Sequence, residues 1–112
     1  KELLYNQDKN LNVASKYIKF LFNLNVVKKD VSKMLASYNA GPGNFNKWSK
    51  NFKQKELDPI FMIETLPARQ TRNYIKLVLT NLWIYRIRLN QRPDLLFKLA
   101  SGKKPIYNSK YD

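Results

Sequence analysis

The sequence has no cysteine and no histidine among its 112 residues. The first absence excludes disulfide frameworks, thiolate metal sites and cysteine nucleophiles. The second removes imidazole ligands and every triad that uses histidine as its base, and no metal site or cofactor is expected. Acids are scarce too, with eight Asp and Glu against 21 Lys and Arg. Acid–base chemistry must therefore come from those eight carboxylates, from lysine or from tyrosine. No uncharged apolar run approaches the roughly 18 residues a transmembrane helix needs. No signal peptide is visible, but a chain that begins at Lys1 reads as a processed chain or fragment, so that absence says nothing about secretion.

What is present is apolar enough to fold. Hydrophobic residues make up 44% and aromatics 13%, too many for a disordered basic tail, and the length suits one domain or a large piece of one. The net charge of +13 suggests a nucleic acid or another anionic surface as partner. It is also what a Lys- and Asn-rich coding bias produces. Lysine is spread along every segment and arginine is confined to Arg69, Arg72, Arg86, Arg88 and Arg92, which argues against a dedicated recognition helix for nucleic acid.

Helical spacing dominates. The stretch Lys1–Lys9 has no clean period, whereas Leu11, Ala14, Ile18 and Leu21 recur every three or four residues, which predicts a helix capped by Asp8 or Asn10 and ended by Asn23–Asn25. Asp30 is the next N-cap, followed by Val31, Met34, Leu35 and Tyr38, with Gly41 and Pro42 as the stop. Asn44 is a candidate cap for a short helix carrying Phe45 and Trp48. Asp58-Pro59 reads as N-cap plus first helical residue of a segment that ends before Pro67. From Gln70 to about Asn90 apolar residues nearly encircle the chain, which predicts a central, largely buried helix. Pro93-Asp94 opens a last helix that Gly102 closes, leaving 103–112 as a tail tethered by Ile106 and Tyr107. No stretch alternates with period two, so the fold class is all-α with about five or six helices.

Three features rise above this background. In Ser37-Tyr38-Asn39-Ala40-Gly41-Pro42-Gly43 a Tyr and an Asn precede a bend of small residues, where a flat ligand could approach exposed backbone groups; the same pattern also serves as an ordinary helix stop with a core Tyr. In Ile63-Glu64-Thr65-Leu66-Pro67 an acid sits among apolar residues. Burial would raise its pKa, and exposure or an ion pair is the other reading. In Gln70-Thr71-Arg72-Asn73-Tyr74, Arg72 could pair with a buried carboxylate, and Tyr74 could offer its hydroxyl to a cleft or sit in the core.

Taken in order, these runs resemble the C-terminal part of the lysozyme-like catalytic domain of soluble-type lytic transglycosylases. The similarity extends from Asn12-Val13 and Tyr17-Ile18 through Tyr38–Gly43, Trp48, Glu64–Pro67 and Gln70–Tyr74 to Leu99–Pro105. The resemblance implies residues 1–102 as that domain part, a lysozyme-like helical fold, a bacterial periplasmic or cell-envelope location, and peptidoglycan glycan strands as partner. It implies cleavage between N-acetylmuramic acid and N-acetylglucosamine by one protonated carboxyl, which then draws the proton from the sugar's C6 hydroxyl so that a 1,6-anhydro sugar forms. On the same basis Tyr38 and Tyr74 would stand beside the acid, Asn39, Ala40, Gly41, Pro42 and Gly43 would line sugar subsites, Glu64 would be a supporting cleft residue, and Trp48 and Arg72 would be structural. Two departures stand out. Gln70 replaces the usual Glu, and no acid of the chain is followed by Ser, so the Glu-Ser motif that carries the catalytic acid is absent, as is Gly-Leu-Met-Gln. The implied partner is an upstream N-terminal half of the same domain, and the chain by itself is expected to be inactive. A non-catalytic glycan-binding relic and a basic nucleic-acid-binding domain are the alternatives.

Overall fold

The computed structural model describes residues 2–52 and 58–107, with side chains from residue 10 onward. The described residues form six helices: α1 (Glu2–Phe22), α2 (Val31–Ala40), α3 (Pro42–Ser49), α4 (Pro59–Thr65), α5 (Arg69–Arg88) and α6 (Asp94–Ala100). Their only β feature is an isolated antiparallel bridge between Asp30 and Ile106, and the all-α expectation holds.

Local chemistry sets most boundaries. Asp30 Oδ1 accepts from the Lys33 backbone N–H at 3.2 Å and from Ser32 Oγ at 2.6 Å, satisfying the open first turn of α2. Asp58 does the same for α4, accepting from Ile60 N–H at 2.9 Å, with Pro59 in the first turn where a missing N–H is harmless. Two expectations are corrected. Helix α1 begins at Glu2, so Asp8 and Asn10 lie inside it rather than capping it. The stretch before Asn10 has weak periodicity but no Gly or Pro, and nothing in its sequence breaks a helix. Helix α3 begins at Pro42 rather than after Asn44. Pro42 supplies a pre-set φ at the helix start, and Asn44 Nδ2 instead donates back to the Ala40 carbonyl at 2.8 Å, closing the end of α2.

The core gathers Leu21 of α1, Met34, Leu35 and Ala36 of α2, Phe45 of α3, Met62 and Ile63 of α4, Ile75 and Leu79 of α5, and Leu95 and Leu99 of α6. Helix α5 is less buried than its composition predicts. Its buried residues are Thr71, Ile75 and Leu79, none beyond the middle of the helix, whereas Leu77, Ile84, Tyr85 and Ile87 are exposed. Periodicity reports which residues are apolar, not whether another element exists to cover them. The segment after α6 returns to the start of α2: Val31 N–H donates to Pro105 O at 2.9 Å and Tyr107 N–H to Lys29 O at 2.8 Å. Pro105 is fully buried, and the Tyr107 ring stacks on Phe22 at 5.3 Å.

Asp30 is itself buried, and that burial raises its pKa from 3.8, against the opposing hydrogen bonds from Ser32 and Lys33 and the Lys33 charge. A raised folded pKa means the unfolded chain ionises first. The carboxyl's contribution to stability is present below pH 3.8 and is lost as pH rises through the folded value. Asp30→Asn keeps a capping oxygen and cannot ionise. Urea midpoints measured across acidic pH are expected to fall with rising pH more steeply in the wild type than in the variant; parallel curves would count against this origin.

Candidate functional site

The Tyr-Asn-Ala-Gly-Pro-Gly run occupies the junction of α2 and α3. Gly41 serves both helices, as the stop of α2 and the start of α3, at φ 92° and ψ 144°. That conformation is open almost only to glycine. Its N–H donates to Ser37 O at 2.9 Å, and its carbonyl accepts from Phe45 N–H at 3.1 Å. A Cβ built on Gly41 or Gly43 would meet nothing within 4 Å, so the space over the bend is open.

Beside the bend, aromatic rings form a row across three helices. The Tyr38 ring lies nearly parallel to Tyr74 of α5, with centroids 6.5 Å apart and 9° between planes. On its other side it tilts toward Tyr17 of α1 at 6.0 Å, and Tyr17 stacks on Phe20 at 6.2 Å. Tyr38, Tyr17 and Phe20 are exposed, while Tyr74 is half-buried. Burial, followed by the neighbouring Tyr38, raises the Tyr74 pKa above 10.0, so Tyr74 keeps its proton and can donate at neutral pH. The row offers flat apolar faces edged by hydroxyls, which suits a flat ligand with apolar faces and polar edges.

Asn39 ties the bend to α5: its Oδ1 accepts from Thr71 Oγ1 at 2.8 Å, and Thr71 is buried. Arg72 donates from Nη1 to the Leu66 carbonyl, bracing the α4–α5 connection. In place of the expected pairing of Arg72 with a buried carboxylate, the described residues give its guanidinium a backbone oxygen six residues back. Trp48 is half-buried against the core.

Glu64 stands apart from the row. It is exposed and forms an ion pair with Lys76, which answers the burial question left open by the sequence. Lys76 and Tyr74 are two residues apart on α5, hence about 200° around the helix and on opposite flanks. The Glu64–Lys76 pair edges a separate apolar cavity of about 240 Å³ formed with Ile63, Leu79, Trp83 and Leu99. Thus Tyr38, Tyr74 and the Ala40–Gly43 bend come together, Asn39 and Arg72 hold their supports, and Glu64 does not join them. Sequence reasoning left out Tyr17 and Phe20 as part of the row; their i, i+3 spacing on α1 was the available signal.

Helices, an exposed row of rings and an open glycine bend together define an all-α fold with an aromatic surface open to solvent. The chain belongs to the family described as the transglycosylase SLT domain, which matches residues 1–61. It is 28% identical over 101 residues to the soluble lytic murein transglycosylase of Escherichia coli K12, covering 90% of this chain and 15% of that protein. The protein of the same name from Salmonella typhimurium LT2 is 28% identical over 93 residues, covering 83% of this chain and 14% of its own length. The chain thus spans about 15% of the length of the curated relatives it matches. No solved structure matches it.

Proposed function

We propose that this chain is the glycan-binding portion of a peptidoglycan lytic transglycosylase acting at the bacterial cell envelope, with residues 1–102 as part of the catalytic domain and 103–112 as its tail. The observation that carries the reading is the Tyr38–Tyr74 stack beside the open Gly41–Gly43 bend. Pyranose rings have apolar faces of C–H groups and polar rims. Tyr17, Tyr38 and Tyr74 would stack against such faces, and the Asn39–Gly43 backbone would meet acetamido and hydroxyl groups.

In this reading the glycosidic oxygen is protonated by a carboxyl that is none of the chain's eight. That carboxyl must be neutral near pH 7, which requires an apolar setting. It gives its proton to the leaving oxygen, and as a carboxylate it takes the proton of the sugar's C6 hydroxyl, whose oxygen bonds to C1. The bond to the leaving sugar breaks, a 1,6-anhydro sugar forms, and no water is consumed. Tyr74, a proton-bearing hydroxyl next to Tyr38, would hydrogen-bond the reacting sugar or the acid. Glu64, paired with Lys76, is assigned to holding α4 on α5 rather than to proton transfer.

Incubation with purified sacculi tests the assignment. The chain alone is expected to release no anhydro-muropeptides, because acid chemistry without a positioned carboxyl contributes little. Product that disappears in Glu64→Gln would overturn it.

A further inference from the structure

We propose that the outward face of α5, from Leu77 to its C-terminal end, is a docking surface for an anionic lipid bilayer, on which the chain lies without crossing it. At about 100° per residue, Leu77, Ile84 and Arg88 share the side of α5 opposite the buried Ile75 and Leu79, with Tyr85 and Ile87 on its two flanks. Leu77, Ile84, Tyr85 and Ile87 are all exposed, and so is Leu89 just past the helix. Single exposed apolar side chains are ordinary on a protein surface, but these are gathered between residues 77 and 89 as a patch.

Charge singles out the same segment. Residues 65–93 contain no Asp or Glu, yet they hold Lys76 and all five arginines of the chain. The acids at the two edges of this stretch are both engaged: Glu64 pairs with Lys76, and Asp94 Oδ1 pairs with Arg92 Nε at 2.9 Å. Arg88 therefore stands among exposed aliphatic side chains in a stretch with no acid of its own.

The combination fits a bilayer better than it fits other anionic or apolar partners. A soluble polyanion would meet the arginines and leave Leu77, Ile84, Ile87 and Leu89 in water. A nucleic acid would find one ring to stack on, Tyr85, among aliphatic side chains that have no π face. A second copy would set one acid-free arginine segment against another. An anionic bilayer takes up every part at once. Aliphatic side chains enter the acyl boundary, the Tyr85 ring sits at headgroup level, and arginine meets the lipid phosphates. No described helix is long and apolar enough to cross a membrane, so the attachment is peripheral. This face uses none of Tyr17, Tyr38 or Tyr74 and stands independently of the glycan reading.

The test is sedimentation of the full chain with vesicles of mixed phosphatidylglycerol and phosphatidylcholine, against vesicles of phosphatidylcholine alone. Binding to the anionic vesicles is expected, and it should weaken about tenfold or more in Ile84→Ser/Ile87→Ser. Leu11→Ser/Val13→Ser removes the same kind of side chain from exposed positions on α1 and should weaken it by less than about threefold. Neither pair changes the charge. Arg88→Gln should weaken binding about fivefold and reduce its salt dependence. Binding indifferent to Ile84→Ser/Ile87→Ser, an equal loss in both serine pairs, or equal binding to the neutral vesicles would overturn the proposal. So would a concentration-dependent dimer in vesicle-free solution that dissociates in Ile84→Ser/Ile87→Ser, which would make the face an interface between copies. Binding of a single-stranded oligonucleotide that the same pair abolishes would assign the face to nucleic acid instead. Helical circular dichroism of each variant confirms that it is folded.

Discussion

Phe45→Ala is expected to lower the unfolding free energy by about 3–5 kcal/mol, the range for emptying a buried phenylalanine site. Phe45 is 0% exposed and is the largest fully buried side chain of the described residues. Its ring meets Phe52 edge-on, with centroids 6.1 Å apart. Alanine forfeits the transfer free energy of the ring and leaves a void among packed helices that close only partly around it. A domain of this size has a total stability of roughly 5–15 kcal/mol, so the variant approaches the unfolding threshold at physiological temperature. Urea unfolding followed by circular dichroism reads the effect. Phe45→Leu, which keeps most of the volume, should lose less, and a loss below about 1 kcal/mol in the alanine variant would show that the site collapses freely.

The second large effect comes from a residue that buries nothing. Gly41→Ala is expected to cost about 1–3 kcal/mol, because any Cβ at φ 92° and ψ 144° is strained. The penalty is purely conformational, since the new Cβ would meet no atom within 4 Å. Gly43→Ala provides the matched control. Gly43 is equally open but lies inside α3, where alanine is the better helix former, so that change should be neutral or stabilising by up to about 1 kcal/mol. Opposite signs at two glycines two residues apart would isolate backbone geometry as the cause. Equal costs would mean the bend is held by something other than the Gly41 backbone. In a sugar-binding surface the same substitution should also weaken ligand binding, because the bend carries the amide groups that would face the ligand.

The punctuation of the chain was legible because it acts locally. Asp30, Asp58-Pro59 and Gly41-Pro42 mark helix ends by hydrogen bonds and torsions that involve only neighbouring residues. The start of α1 was less legible, because Lys1–Lys9 lacks a period and helix formation there needs only the absence of breakers. The exposure of Leu77, Ile84 and Tyr85 on α5 could not be read at all, since burial depends on what packs against a helix. The site divides in the same way. Tyr38 and the glycine bend stand out as one contiguous run, and the order of the later motifs singles out Tyr74. The extension of the row through Tyr17 and Phe20 depends on how α1 crosses α2. Glu64 looked like a cleft residue in sequence, but about half a turn of α5 separates the flank that holds Tyr74 from the flank that holds Lys76.

In the proposed function the row of rings and the open bend form one glycan-binding surface. Titrating the isotope-labelled chain with a soluble N-acetylated glycan oligomer, while following backbone amides and aromatic signals, tests it most directly. Shifts are expected to concentrate at Tyr17, Phe20, Tyr38, Tyr74 and the Gly41 and Gly43 amides. Affinity should fall about fivefold or more in Tyr38→Ala, the equivalent of roughly 1 kcal/mol of lost ring contact. Shifts gathered around the Glu64–Lys76 cavity instead, or an affinity indifferent to Tyr38→Ala, would contradict it.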